Sequence, residues 1–324
     1  MPIEESIKKA LFLSSSAPGP LLNGLAPEWN LRADASLQEK CILLGIAEQD
    51  INIFNLKDEL SPAIDTAAFS RSHLQQPGLF VRVRPGYRHI VEEKLAQTDI
   101  NYSWPLEDCL LLPPATKTEN LFTINREVVV QDLSSQMTGQ FMQLARLPQY
   151  PKTWDCCVAS GGKSILVSDL IPTVNLTASD IRESILHNFR KRMKEAGINR
   201  YKSFQADLSR APASALPSDC DFIIADLPCS GSGTWGRNPE NLVFFQRPSI
   251  ENYAALQQKI ISKIIPQLKQ GGWLLYITCS VFKEENEDIA AFAASRGLQP
   301  AKQQILEGYR HLADTMFAAL FQKA

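Results

Sequence analysis

The 324-residue chain holds 33 Lys and Arg against 35 Asp and Glu, a formal charge of −2, with 44% hydrophobic and 21% charged residues. Those proportions are ordinary for a globular protein with a real core, and no apolar run reaches the roughly 18 residues of a membrane-crossing helix. The seven cysteines (Cys41, Cys109, Cys156, Cys157, Cys220, Cys229 and Cys279) form an odd set without CxxC spacing, which argues against a zinc site and for free thiols in a reducing compartment.

The N-terminus MPIEESIKKA lacks a signal-peptide apolar stretch, so a cytoplasmic protein without membrane attachment is expected. The length exceeds the usual single domain and predicts one domain of roughly 150 to 200 residues with a smaller companion. Residues 1–130 carry 12 Lys and Arg against 17 Asp and Glu, and the remainder 21 against 18. So slight an excess does not by itself point to a polyanion.

Residues 1–76 mix short helical patterns with Pro, Ser and Gly breaks, and LQEKCILLGIAEQD (37–50) has apolar residues at helical spacing. From Pro77 the character changes. GLFVRV reads as a strand, HIVEEKLAQT as a helix, and CLLLP and REVVVQD as strands, predicting a small α+β module over 77–130.

From residue 131 the pattern becomes regular. QDLSSQMTGQFMQLARL reads as an amphipathic helix and TWDCC as a strand. Apolar strands then alternate with helices: VNLTAS and DIRESILHNFRKRMKEAG, YKSFQAD, DFIIAD and IENYAALQQKIISKIIPQLKQGG, WLLYITC and EENEDIAAFAAS. DTMFAALF closes the chain as a last strand. Such alternation predicts a parallel sheet covered on both faces, a doubly wound α/β domain over 131–324, with chemistry at the carboxyl ends of its strands.

The first strand of that domain runs into DCCVASGGKS. Two glycines between strand and helix let the backbone approach a ligand and aim helix N-terminal amides at it. The run is one residue away from the GxxxxGKS phosphate loop, with Cys157 where the first glycine would stand, so a nucleotide triphosphatase is a rival reading. The second strand ends in Asp180, placed to accept from a ribose diol, and the third in Asp207, placed to accept from an exocyclic amine. An adenosine-containing cofactor such as S-adenosyl-L-methionine uses both acids. The alternative for either one is a helix cap.

The fourth strand delivers Asp226 and Cys229, and the fifth Thr278 and Cys279. Adjacent strands lie about 4.8 Å apart, so both thiols can reach one small substrate. One chemistry makes two thiols useful. Carbon 5 of cytosine is too weak a nucleophile to take a methyl group from a sulfonium until a thiolate adds at carbon 6, and a base must later remove the carbon 5 proton.

VVVQDLSSQ, DCCVASGGKS, ASDIRES, FQADLS, DFIIADLPCSGSGTWGRNPE and YITCSVFKEENE, in that order, resemble the Sun/Fmu-type (NOL1/NOP2/Sun) RNA cytosine-C5 methyltransferases. The resemblance covers residue 77 to the C-terminus. It implies a Rossmann-like S-adenosyl-L-methionine methyltransferase domain with a mostly parallel seven-stranded sheet, preceded by a small RNA-recognition-like subdomain. It implies further that Cys279 attacks carbon 6, that Cys229 assists release, that Asp226 holds the cytosine edge, and that Lys163 lies near cofactor and base. Cys157, Val158, Ala159, Ser160, Gly161, Gly162, Lys163, Asp180, Asp207 and Asp226 then resemble the cofactor site. The implied partner is RNA, ribosomal RNA or an assembling ribosomal subunit, met by a monomer.

Two positions depart from the family pattern: Ser160 stands where proline usually precedes the glycines, and Asp314-Thr315-Met316-Phe317 where DGFF is usual. Residues 1–75 are too short for the separate helical RNA-binding domain of some members. A DNA cytosine-C5 methyltransferase, which attacks with the cysteine of the PC motif, is a second rival, and an inactive RNA-binding assembly factor a third. Arg82, Arg84, Arg237 and Asn238 are candidates for gripping phosphates, and Arg190, Lys191, Arg192, Lys194, Arg200 and Lys202 form a further basic cluster.

Overall fold

Residues 3–324 are described by a computed structural model. Its first part holds five short helices: α1 (Ile3–Ser14), α2 (Pro20–Leu25), α3 (Pro27–Asn30), α4 (Leu37–Leu44) and α5 (Thr66–Ser72). α4 starts at a capping box in which Ser36 and Glu39 satisfy each other's amides, and stops at left-handed Gly45. The segment after it is part of the main core: Phe54, Leu60, Ile64 and Phe69 pack with Trp235 and Phe282. Leu60 bridges Phe282, and the Ser61 amide donates to the Val281 carbonyl at 2.8 Å. These residues buttress the loop that follows Cys279, which the sequence pattern did not reveal.

The small module comprises β1 (Leu79–Val83), α6 (Arg88–Leu95), β2 (Ser103–Leu106), β3 (Cys109–Leu112) and β4 (Val128–Val130), in an antiparallel sheet ordered β2-β3-β1-β4. Alternation along β1 assigns its two faces. Val81 and Val83 pack with Val91 and Leu95 of α6, whereas Phe80 packs with Leu133 and Ala313 of the large domain. The sheet face opposite α6 is therefore covered.

The large domain begins with α7 (Leu133–Leu144), capped by Asp132, whose carboxylate accepts from the Ser134 amide. There follow β5 (Lys152–Asp155), α8 (Gly162–Leu170), β6 (Asn175–Asp180), α9 (Glu183–Glu195), β7 (Tyr201–Gln205) and β8 (Cys220–Asp226). Then come α10 (Asn241–Phe244), α11 (Pro248–Ile264), β9 (Leu268–Thr278), α12 (Glu287–Ser295), β10 (Leu298–Leu306) and β11 (Met316–Lys323). The seven strands are ordered β10-β11-β9-β8-β5-β6-β7. Strands β5 to β9 pair in parallel, while β11 pairs antiparallel to both β9 and β10. Along β8, Ile223 and Ala225 enter one core and Phe222 and Ile224 the other, the two-sided burial that an unbroken apolar strand produces.

Two local expectations are corrected. LKQGG, read as the end of a helix, is the start of β9: Gly271 is left-handed, at φ +72°, and the register with β8 shifts between Cys220 and Phe222. β10 escaped the pattern reading because Gln299, Gln303 and Gln304 of this edge strand face solvent and leave no apolar alternation.

Candidate active site

Chain order reverses direction at β5, whose neighbours are β8 and β6, and such a switch point opens a crevice at the carboxyl ends of the strands. β5 ends at Asp155 and the chain turns through 156–161 into α8. Ala159 sits at φ +44°, a left-handed position that costs a non-glycine residue energy, and its amide is held by the Asp180 carboxylate at 3.1 Å. Gly161 is left-handed at φ +84°, and a Cβ there would lie 2.7 Å from the ring of Phe189. Ser160, which replaces the family's proline, has its carbonyl gripped by Arg192 Nη1 at 2.6 Å, and Arg192 Nε in turn donates to Asn125 Oδ1. This loop is thus fixed by neighbours rather than by a proline ring.

The loop divides two cavities. One, of about 480 Å³, is lined by Cys157, Ala159, Asp180, Asp207, Asp226, Cys229 and Cys279, with Ile181, Leu208, Leu227, Leu256 and Ile260 as apolar wall. The other, of about 230 Å³, is lined by Val158, Ser160, Gly162, Lys163, Ser135, Gln131 and Asp155, and shares Cys157, Ala159 and Asp226 with the first. Gly161 faces neither, so its part is backbone shape. The larger cavity has the size and mixed lining of a small-molecule site. Apolar walls for a base together with two strand-end acids fit an adenosine moiety. Asp207 Oδ1 accepts from the Ser209 amide and hydroxyl, which leaves Oδ2 facing only Arg210, at 3.6 Å.

Both strand-end thiols open on that cavity because β8 and β9 are parallel neighbours, with Asp226 opposite Ile277. The loops beyond them are tied together: the Gly233 amide donates to the Cys279 carbonyl at 2.8 Å, and Ser230, Ser232 and Ser280 hydroxyls lie within 3.3 Å of one another. Beneath them is Glu285, fully buried, which accepts from the Ser230 amide at 2.8 Å, the Ser280 hydroxyl at 2.9 Å and Gln257 Nε2 at 3.1 Å. Sequence reasoning missed Glu285; the signal was an acid six residues beyond a strand-end cysteine in an otherwise solvated-looking KEENE run.

The electrostatics follow from burial. The surrounding wall pushes the Cys279 thiol well above its ordinary range, helped by Asp226 and Cys229 and opposed by Lys163. Cys229 is pushed up to about 12 by the same desolvation and by Glu285. Burial pulls the Lys163 ammonium down, but the Asp226 carboxylate, 2.7 Å from Nζ, and the charges around it outweigh that, leaving it above the ordinary lysine range.

The arginines expected at phosphates lie elsewhere. Arg82 and Arg84 are both paired to buried Asp169 of α8 at 2.7 Å, and they lock the small module to the large domain. Arg237 bridges Asp132 at 3.0 Å and Asp314 at 2.8 Å and donates to the Gly78 carbonyl. Asn238 stays exposed, as do Lys194, Arg200 and Lys202 of the basic cluster. Thr315 replaces a glycine without disturbance: it is buried and its hydroxyl accepts from the Tyr309 amide.

A mostly parallel sheet with strand-end acids and a glycine turn defines a Rossmann-like methyltransferase, whose cofactor is S-adenosyl-L-methionine. The family model for 16S rRNA methyltransferase RsmB/F matches residues 144–313, and the chain belongs to that family. Ribosomal RNA small subunit methyltransferase B of Proteus mirabilis (strain HI4320) is 33% identical over 202 residues, which is 60% of this chain and 46% of that protein. The match thus spans under half of the relative's length. Among solved structures, PH0851 superposes with a TM-score of 0.72 at 22% identity, covering 93% of this chain and 75% of that one. NSun6 from Pyrococcus horikoshii, solved with SFG, gives 0.67 at 16% identity over 80% and 95%. Both show the same fold. The phosphate-loop reading is overturned by the family match, and Lys163 is bound to Asp226 rather than free at a loop mouth.

Proposed function

We propose that the protein methylates carbon 5 of a cytosine in RNA, most specifically small-subunit ribosomal RNA, as a cytoplasmic monomer acting on a free or assembling particle. The single observation that carries the reading is that two thiols from neighbouring strands open on one cavity with Asp180, Asp207 and Asp226. S-adenosyl-L-methionine, when bound, supplies the methyl group and a sulfonium charge.

Asp180 and Asp207 hold the cofactor's ribose and base, and the apolar wall from Leu227 to Ile260 excludes water. Cys279, as thiolate, bonds to carbon 6 and makes carbon 5 enamine-like. Asp226, fixed by Lys163, holds the cytosine edge. After methyl transfer Cys229, as thiolate, takes the carbon 5 proton, the freed electron pair re-forms the carbon 5–carbon 6 double bond, and Cys279 leaves carbon 6 as thiolate by β-elimination. The base is met single-stranded or flipped, since a stacked carbon 6 is closed to an in-plane thiol.

The test is trapping. Cys229→Ala accumulates a protein–RNA adduct that survives denaturing electrophoresis, and Cys279→Ala forms none. Near-normal turnover in Cys279→Ala with loss in Cys229→Ala would instead assign the DNA-type mechanism. Comparing bisulfite maps of total RNA with and without the gene names the cytosine.

A further inference from the structure

One chain of hydrogen bonds joins the small module to the lysine of the active site. Arg82, on the covered face of β1, is anchored by Asp169 and donates from Nε to Gln131 Oε1 at 2.9 Å. That contact fixes the amide orientation, because an arginine can only donate. Gln131 Nε2 therefore points away from Arg82, and it donates to Ser135 Oγ at 3.1 Å. The same oxygen accepts from Lys163 Nζ at 3.3 Å, while Lys163 also donates to Asp226 at 2.7 Å. Gln131 is itself held, since its backbone carbonyl accepts from Gln136 Nε2 at 2.9 Å and its amide donates to the Phe80 carbonyl.

Lys163 is nearly buried and sits on the first turn of α8, lining the smaller cavity beside Asp226, which lines both. A four-carbon side chain on one ion pair alone keeps torsional freedom. Two acceptors on different elements, Asp226 of β8 and Ser135 of α7, define where its ammonium stands.

We infer that Ser135 and Gln131 are positioning residues for Lys163, fixing its ammonium beside Asp226 at the edge of the cavity on which Cys279 opens, with Arg82 as their anchor in the small module. The inference rests on the proposed reaction for its purpose, not for its geometry. It gives Arg82 a part quite different from phosphate contact: seating the small module on the large domain and setting the active-site lysine become one event.

The experiment reads the Cys279 thiol rather than methyl transfer. Full-length wild type, Ser135→Ala, Gln131→Leu and Ser135→Thr are alkylated with iodoacetamide from pH 6.5 to 9.5, and modification of Cys279 is quantified by mass spectrometry. Ser135→Ala and Gln131→Leu are expected to lower the Cys279 rate about tenfold at a fixed pH, the change that one unit in a thiol pKa produces. Ser135→Thr, which keeps the hydroxyl, restores it. Thermal unfolding of each variant separates misfolding from mispositioning. Alkylation profiles of Ser135→Ala and Gln131→Leu that superimpose on wild type, in folded protein, overturn the inference. Shifted profiles in a protein that transfers no methyl group to RNA uphold it and overturn the proposed function instead.

Discussion

The backbone of Gly233, in the loop that follows Cys229, is clamped between Cys279 and the last hairpin: its amide donates to Cys279 O at 2.8 Å, and its carbonyl accepts from Thr315 N at 2.9 Å. A Cβ at this position would lie 1.9 Å from the Thr315 carbonyl oxygen and 3.0 Å from that of Cys279. Glycine here is a matter of backbone approach, and it sets the spacing between the Cys229 and Cys279 loops.

Gly233→Ala should therefore cost about 3 kcal/mol or more, because backbone atoms on both sides cannot yield as a side chain would. Urea midpoints measure it. Gly24→Ala, at a helical position with no heavy atom within 4 Å of the added Cβ, is the control and should leave the midpoint at or above wild type. An equal response at both positions would show that the clamp carries no weight.

The raised Cys279 thiol predicts a pH dependence with a definite sign. Burial holds the group protonated at neutral pH, so the reactive thiolate grows about tenfold per pH unit and continues to grow beyond the ordinary cysteine range near 8.5. Single-turnover methyl transfer should climb past pH 9, and Lys163→Met should move the profile further up by removing a neighbour that favours thiolate. A plateau below pH 8 in wild type would contradict this.

How far the sequence foretold this site differs residue by residue. Asp180, Asp207, Asp226, Cys229 and Cys279 were legible because parallel strands announce themselves as apolar runs and their carboxyl ends are the next residues along. The partners of Arg82 and Arg237 were not. FVRVR reads as a basic exposed strand until the sheet face is known to lie against α7 and α8, where Asp169, 87 residues away, waits for it. Nor does local sequence announce Ser61 bonding the loop after Cys279, across more than two hundred residues. Such contacts depend on which elements pack together, which periodicity does not encode.

Glu285 offers a direct test of the buttress beneath the thiols. Every group around its carboxylate is a donor: the Ser230 amide, the Ser280 hydroxyl and Gln257 Nε2. Glu285→Leu removes both acceptor oxygens and leaves the Ser230 amide and Gln257 Nε2 without this partner, at a cost of about 1–3 kcal/mol. Denaturant titration should show that loss. Since Ser230 follows Cys229, the variant should also accumulate more protein–RNA adduct than wild type, and adduct at the wild-type level would remove Glu285 from the release step.

Asp169 balances two guanidinium groups at the module interface. Asp169→Asn leaves buried Arg82 and half-buried Arg84 without their shared countercharge and should destabilise by about 3 kcal/mol. If Arg82 and Arg84 touched phosphates, Arg82→Gln would flatten the dependence of RNA affinity on salt by about one unit of slope. With Arg82 spent on Asp169 and Gln131, that slope should stay unchanged while the melting temperature drops.

Asp155 gives the stability of the protein a pH signature. It is fully buried, with Oδ2 accepting from the Ser164 hydroxyl at 2.6 Å and Oδ1 without a partner, and burial lifts it to about 7. An unfolded aspartate titrates near 3.9. Between about pH 4 and pH 7 the folded protein thus keeps a proton that the unfolded chain has released, so this group's contribution favours folding at low pH and is lost as pH rises through 7. Asp155→Asn removes the titration, and because other groups cancel in the comparison, the stability of wild type relative to the variant should fall steadily from pH 4 to 7 and then level off. Urea midpoints at pH 5, 6, 7 and 8 decide it: a difference that stays constant across the window would mean that Asp155 is already ionised when folded, held by Lys163 rather than by its proton.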